Sequence, residues 1–387
     1  MSKGRVRAGL VVLAGVFGCS GTNSSGLGDG TPSTGQGGNG GPVTGQGGSA
    51  GSVTGQGGAP GIGGSIPSAT GRAGAAGAGT MGGAGGAAGA AGTGGNACTG
   101  DPLTRCPGAM NGPWCTEMLA AGALPRLDSL WANRPDDVWF VGGQFPPGGL
   151  TAFGMIARFD GCTWTVTQRP DLPELTGVWG AAPNDVWLVG ADGSARHWNG
   201  STFTTVTVPG ATNLRSVNGS SSTDVWAVGS GIFHWNGSAW AQSSASAGTD
   251  IWAVSPTDVW VASGATDALH FDGATWTPTT LTDFGLFTIW GDGTQAYAGG
   301  EGEALFHFTG GTWTTLQVRG GSSEGFVDMG GLGADIFTVG NQDVVSLSGN
   351  TFTRVTDVPQ NTYRSVWVSP TQVWLGSPDG SVARRAR

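Results

Sequence analysis

Four histidines are the first side chains that could bind a metal or take part in catalysis, because a neutral imidazole is a common metal ligand and a common general base. Successive histidines lie about 37 residues apart, and an aromatic residue follows each one. They are His197, His234, His270 and His307. Equal spacing indicates one equivalent position in four successive repeats, whereas the ligands of a metal ion must converge on a point. We therefore expect structural histidines, no metal site and no cofactor.

Carboxylates show both a repeated and an unrepeated pattern. The repeated ones, each before an apolar and an aromatic residue, are Asp137, Asp185, Asp224, Asp258 and Asp335. Their recurrence predicts a scaffold role in which each short side chain accepts backbone N–H groups of a turn. Glu301 and Glu303 lie outside this pattern. Two neighbouring carboxylates can hold a cation or act as the acid and base of a glycosidase, and solvated loop charge is the alternative.

Four of the five cysteines lie in the second part of the chain, at Cys98, Cys106, Cys115 and Cys162. An even number in an exported domain predicts two disulfides, for which three connectivities exist. We favour Cys106 with Cys115 and Cys98 with Cys162. The spacing does not match the CxxC pairs of a zinc knuckle.

The first 19 residues resemble an export signal. Lys3, Arg5 and Arg7 precede an apolar run that ends at Phe17 and is too short for a membrane-spanning helix. The four residues ending at Cys19 resemble the lipobox of bacterial lipoproteins, in which the cysteine carries the lipid. An ordinary cleaved signal is the alternative. Because Ser20 is not acidic, the resemblance implies an outer-membrane lipoprotein, exposed to the periplasm or on the cell surface.

Composition divides the rest of the chain into two parts. Residues 20–97 are mostly Gly, Ala, Ser, Thr and Gln, whereas all 17 Trp lie from Trp114 onward. The first part has no apolar face at helical or strand period, which predicts a disordered Gly-rich tether. The second part, residues 98–387, is long enough for one large domain. The net charge of −9 disfavours a nucleic-acid partner.

Self-similarity at a period of about 40 residues dominates the second part. Each repeat predicts four short antiparallel strands, and Asn-Gly or Asp-Gly between the last two favours a two-residue hairpin with positive φ at both positions. Second strands are anchored at Trp139, Trp187, Trp226, Trp260, Tyr297, Phe337 and Trp374. These anchors predict an all-β fold, a seven-bladed β-propeller of four-stranded antiparallel blades with tryptophans packed between the blades.

The seventh repeat stops after its third strand, and residues 111–118 around Trp114 match the end of a repeat. We predict that this N-terminal strand pairs with the three C-terminal strands and closes the ring. Closure would remove the exposed strand edges that promote aggregation.

The combination of Pro-x-Asp-Val-Trp, His-Trp-Asn-Gly and Trp-Thr over residues 98–387 resembles the Trp-rich propellers of Gly-tethered bacterial surface lipoproteins. These are grouped with BNR-repeat, sialidase-like propellers. The Asp-box of that group is one residue short here, as in Asp272-Gly273. A sialidase nucleophile is a tyrosine, and both Tyr297 and Tyr363 are in strand phase, so we do not expect that activity.

Function is expected where the repeats differ. In propellers, the loops joining strands two to three and four to one surround one mouth of the channel, and these loops vary most here. The candidate ligand-binding residues in them are Gln144, Phe145, Arg169, Asp283, Glu301, Glu303, Arg319 and Asp343. We expect a monomeric, lipid-anchored binding or adhesion module for an envelope protein or a polysaccharide. A glycoside hydrolase and an assembly factor without a small ligand are the alternatives.

Overall fold

The computed structural model describes residue 106 and residues 108–119, 125–144, 153–317, 325–340 and 343–387. The predicted signal, the tether, Cys19, Cys98, Phe145 and Arg319 lie outside these ranges. Within them the chain forms strands and turns and no helix. Correspondingly, the same ranges contain no helix long and apolar enough to cross a membrane.

The first strands of the chain are β1 (Ala109–Asn111) and β2 (Trp114–Met118). Blade 1 follows with β3 (Pro125–Arg134), β4 (Asp137–Gln144), β5 (Phe153–Phe159) and β6 (Trp164–Pro173). Blade 2 contains β7 (Leu175–Ala182), β8 (Asp185–Gly190), β9 (Ala195–Trp198) and β10 (Phe203–Val206). Blade 3 contains β11 (Leu214–Ser221), β12 (Asp224–Gly229), β13 (Ile232–Trp235) and β14 (Trp240–Ser244).

Blade 4 contains β15 (Asp250–Ser255), β16 (Asp258–Ala262), β17 (Asp267–Phe271) and β18 (Trp276–Thr280). Blade 5 contains β19 (Leu286–Gly291), β20 (Gln295–Gly300), β21 (Ala304–Thr309) and β22 (Thr312–Gln317). Blade 6 contains β23 (Asp328–Leu332), β24 (Asp335–Gly340), β25 (Asp343–Ser348) and β26 (Thr351–Arg354). The last strands are β27 (Ser365–Val368), β28 (Gln372–Gly376) and β29 (Ser381–Ala386).

Blades 1 to 6 are each one four-stranded sheet whose strands pair antiparallel in chain order. The first strand of each blade is the inner one, because successive first strands contact one another around the ring. The ring is complete, since β27 also contacts β3. The predicted seven-bladed β-propeller is confirmed.

Blade 7 joins both ends of the domain in the order β27-β28-β29-β2-β1. Strand β2 pairs antiparallel with β29, with Cys115 opposite Arg384. This pairing closes the ring as the partial repeats predicted. The fifth strand, β1, was not predicted because no other blade has a counterpart to it.

A disulfide joins Cys106 to Cys115, as predicted, and ties the segment before β1 to the closing strand β2. Cys162 is also disulfide-bonded. Its predicted partner, Cys98, lies outside the described residues, so that pairing stays a prediction.

The hydrophobic core lies between blades, in seven clusters that each combine residues of two adjacent blades. Trp187 of blade 2, for example, packs against Trp235 and Trp240 of blade 3 at centroid distances of 5.0 and 5.4 Å. The predicted packing role of these tryptophans is confirmed. Each such indole side chain buries on the order of 200 Å², which makes these contacts the main stabilising element of the propeller.

The outer hairpins of blades 5 and 6 have the predicted two-residue turns, with Gly310 and Gly311 of blade 5 both at positive φ, but those of blades 1 to 4 differ. Between β9 and β10 the loop has four residues, and only Gly200 among them has positive φ. The Asn199 side-chain oxygen accepts the N–H groups of Ser201 and Thr202 at 3.0 and 2.9 Å. Blades 1, 3 and 4 repeat this loop at Asp160, Asn236 and Asp272. The side-chain oxygen accepts the backbone N–H groups of the turn and removes the need for positive φ at the first position.

Candidate functional site

The histidines occupy one repeated scaffold site. The Nε2 atom of His234 lies 2.7 Å from Asp224, and its ring stacks on Trp226 at a centroid distance of 4.1 Å. Blades 2 and 4 repeat this geometry with His197 and His270. His307 instead bonds Gln295 at 3.0 Å.

The carboxylates of this site therefore bond a side chain, and the expectation that they accept turn N–H groups was wrong. The imidazole lies directly opposite the tryptophan on the neighbouring strand, which brings its nitrogen to the carboxylate at the strand entrance.

Arginine replaces histidine at this position in blades 1 and 7. Arg158 lies 4.6 Å from the Trp139 ring centroid and 3.0 Å from Asp137. Arg384 lies 4.8 Å from the Trp374 centroid and 3.2 Å from Glu117. A cation over an aromatic face is stabilising in this partly desolvated setting. In the part of the chain that is described, no group of three His, Cys, Asp or Glu side chains is placed to hold a metal ion.

Connectivity defines two faces of the ring. Strand direction alternates within a blade, so the connections from second to third strand, and from fourth strand to the next blade, all lie on one face. We call this the loop face and the opposite one the hairpin face. Connectivity places four of the predicted site residues on the loop face: Asp283, Glu301, Glu303 and Asp343. Gln144 ends β4 on the same face, and Arg169 lies in β6 opposite Gly154.

Glu303 and Asp343 come together on one arginine. Arg354 of β26 bonds Glu303 at 2.6 Å and also forms an ion pair with Asp343. The hydrogen bond to Asp343 and the two negative charges raise the pKa of Arg354. These groups link blades 5 and 6, and Glu303 is held there with a φ of 53°.

Glu301 has a different partner, because its Oε2 accepts the N–H of Gly285 at 3.3 Å. The predicted pair of acidic residues is thus divided between two contacts. Beside Gly285 lie the exposed Asp283 and Phe284, and Phe284 is 37 % exposed. Gln144 is only 2 % exposed, which places it behind the surface of the loop face.

A ring of residues around the channel was not predicted. Each lies three residues before the inner-strand residue that pairs with the aromatic anchor of the second strand. They are Asp128, Thr176, Arg215, Thr249, Phe287, Val327 and Arg364. We call these seven residues the channel ring. Thr176 and Thr249 bridge blades by donating to the carbonyls of Leu214 and Leu286 at 2.8 and 3.1 Å. Arg126 bonds Asp128 at 2.7 Å and forms an ion pair with Glu174.

Charge is uneven on this ring. Burial raises the pKa of Asp128, and the charges of Arg126 and Arg364 oppose that effect. Arg215 and Arg364 are exposed. The sequence signal for them existed, because four of the other five repeats have Thr, Phe or Val at this position.

One residue further along the inner strands, two buried carboxylates connect blades. Asp250 accepts the Ile289 N–H of blade 5 at 3.0 Å, and Asp328 accepts the Val366 N–H of blade 7 at 2.7 Å. Burial raises the pKa of both carboxyls, and the charge of Asp250 raises that of Asp328 further. These groups belong to the scaffold that holds the ring together.

Comparisons with known proteins support the fold. No family model and no curated protein matches the sequence. Virginiamycin B lyase from Staphylococcus aureus superposes with a TM-score of 0.59 at 12 % identity, covering 71 % of this chain and 99 % of that one. YCF48 bound to D1 peptide gives 0.56 at 16 %, covering 73 % and 100 %. The WD40 repeats of RRP9 give 0.58 at 12 %, covering 70 % and 97 %. The chain shares the propeller fold with these proteins.

Proposed function

We propose that the protein is a binding module whose ligand lies over the loop face at the mouth of the channel. One observation carries this proposal: the connections vary much more in length on the loop face than on the hairpin face. The hairpin face repeats the same four-residue loop in blades 1 to 4. Connections on the loop face range from one residue between β6 and β7 to ten between β22 and β23, whereas those on the hairpin face have two to four residues. Length variation concentrated on one face is typical of recognition loops on a rigid scaffold.

Two further features support binding. YCF48, which shares the fold, is bound to D1 peptide in its solved structure. On this chain, Phe284 and Asp283 offer an exposed aromatic ring beside a carboxylate on the loop face. We propose an envelope protein or a polysaccharide as the ligand, and a lipid on Cys19 with residues 20–97 as the connection to the outer membrane.

Site-specific crosslinking tests the location of the ligand. A photoreactive amino acid replaces Phe284 on the loop face or, as the matched control, Ser201 in the hairpin-face loop of blade 2. On illuminated intact envelopes we expect adducts from position 284 and none from position 201. Adducts from position 201 alone, or from neither, would contradict the proposal.

The glycoside hydrolase alternative requires two carboxylates that act on one bond. Glu301 and Glu303 bond different partners, which favours binding over hydrolysis. Incubation with chromogenic glycosides separates the two functions, because turnover that is lost in Glu301→Gln would support the hydrolase.

The anchor is tested independently of the ligand. Metabolic labelling with a fatty acid should label the chain, and Cys19→Ser should abolish the label. Labelling that survives Cys19→Ser would contradict the proposed lipidation site.

A further inference from the structure

Arg215 and Arg364 occupy equivalent positions on opposite sides of the channel mouth. Arg215 lies in β11 of blade 3 at a register shift between Leu214 and Ser216. Arg364 precedes β27 of blade 7, and its backbone N–H donates to Gly376 at 2.8 Å. In a ring of seven blades, blades 3 and 7 are three apart in one direction and four in the other. The two side chains therefore face the mouth from opposite sides.

Both guanidinium groups are available to a ligand. They are exposed, and neither side chain forms an ion pair or hydrogen bond with any described residue. The Asp128 carboxylate lies near enough for its charge to interact with that of Arg364 but does not bond it. Most of the other described arginines are engaged, as Arg158, Arg196, Arg354 and Arg384 show. An unengaged guanidinium presents donors in a planar fork that matches a carboxylate.

The rest of the loop face limits what kind of anion fits. Carboxylates of Asp192, Asp283 and Glu301 lie on the same face, and the chain as a whole carries a net charge of −9. A polyanion with a charge on every unit would meet these carboxylates at short range and be repelled. A ligand with a few separated carboxylates avoids them. The exposed Phe284, at the connection between blades 4 and 5, adds an apolar contact.

We infer that the channel mouth binds a peptide segment of a partner protein through two acidic side chains, one on Arg215 and one on Arg364. This inference rests on the proposed function and names the ligand class for the same site. Between the two acidic residues the segment crosses the channel ring, and an apolar side chain of the segment contacts Phe284. Contacts to exposed charges of this kind weaken with salt, and their loss changes mainly the association rate.

Selection from a phage-displayed library of short random peptides tests the inference, with the full chain as bait. We expect the enriched peptides to contain two separated Asp or Glu residues and an apolar residue. Their fluorescein-labelled synthetic forms should bind the parent chain and lose about tenfold in affinity with Arg215→Gln or Arg364→Gln. Arg215→Lys should recover part of the loss. Arg134→Gln is the control, because Arg134 is 63 % exposed at the end of β3 near the hairpin face.

Unfolding curves in urea show whether each variant keeps the parent's stability, so that lost binding is not lost folding. Enrichment without acidic residues, or equal affinity for the parent and both Gln variants, would overturn the inference. Binding of polygalacturonate with the same arginine dependence would overturn the assignment to a peptide. Peptides that need Phe284 but ignore both arginines would leave the proposed function standing and remove this inference alone. Peptides that bind without any loop-face residue would remove both.

Discussion

Asp224 illustrates how the scaffold uses residues that have apparent catalytic potential. Burial alone raises the pKa of this carboxyl, but hydrogen bonds from His234, Ser220 and Trp226 outweigh that effect and lower the pKa. The fold therefore stabilises the charged form. A lowered pKa in the folded state means that this stabilisation is present above the pKa of the unfolded chain and is lost as the pH falls through the folded pKa.

Replacing Asp224 with Ala should lower the free energy of unfolding by about 2–3 kcal/mol, because the buried Trp226 Nε1–H loses its acceptor. Asp258→Ala in the next blade is the matched control. Among the described residues, Asp258 bonds His270 alone and is more exposed than Asp224, so its loss should be nearer about 1 kcal/mol. Urea denaturation measures both values. Equal losses in the two variants would show that the buried indole contact does not matter.

The environment of Asp328 predicts the opposite pH dependence of folding stability. Burial and the charge of Asp250 raise the pKa of this carboxyl, so the protonated form is favoured in the fold. Its contribution is present below the ordinary carboxyl pKa of about 4 and is lost as the pH rises through the raised value. In Asp328→Asn this loss should disappear, so the stability of the variant relative to the parent should increase with pH.

Urea midpoints at a series of pH values from about 4 to about 8 measure this difference. Asp283→Asn is the control, because Asp283 is exposed, and its difference from the parent should stay constant. A constant difference for Asp328→Asn as well would refute the prediction.

Among the strands, β2 depends on Glu117 for its attachment. The Glu117 carboxylate accepts the Trp164 Nε1–H of blade 1 at 2.9 Å and lies 3.2 Å from Arg384 of β29. Both charged side chains are less than 10 % exposed. One carboxylate therefore joins the closing strand to its own blade and to the next one.

Glu117→Ala should destabilise the protein by about 3–4 kcal/mol, because it leaves a buried guanidinium without its counter-charge. The neighbouring Thr116→Ala removes only an exposed hydrogen bond to Ala109, and its effect should stay within about 0.5 kcal/mol. Thermal or urea unfolding of the two variants provides the comparison. A small effect for Glu117→Ala would mean that backbone pairing with β29 suffices for closure.

The sequence predicted strands well in the repeated segments and poorly in segments that have no counterpart in other repeats. Anchors such as Trp226 recur, so the number of blades and the closing strand could be inferred from spacing. Strand β1 has no counterpart and was missed. The outer hairpins of blades 1 to 4 are longer than predicted because side chains such as Asn199 accept turn N–H groups, which backbone propensity does not include. Arg215 and Arg364 were not predicted because they lie at the start of inner strands, whereas the candidates were taken from loops of variable sequence.

For the whole molecule, closure determines cooperativity. Each hydrophobic cluster spans two blades, so no blade can bury its apolar faces alone. The junction of blades 7 and 1 depends on the pairing of β2 with β29 and on the Leu127 N–H, which donates to Ser377 at 3.3 Å. Without blade 7, the apolar faces of blades 1 and 6 would be exposed at the ends of an open array.

Deletion of the residues after Asn361 should therefore replace a single unfolding transition with a broad one. The deletion removes β27, β28 and β29, and an open array with unequal neighbours unfolds from its ends. Tryptophan fluorescence and far-UV circular dichroism should coincide during urea unfolding of the parent and diverge in the truncated chain. Deletion of residues 20–97 is the control, because their sequence predicts no part in the core, and it should leave one transition. If the chain truncated after Asn361 kept one coincident transition, closure would not be the source of cooperativity in this fold.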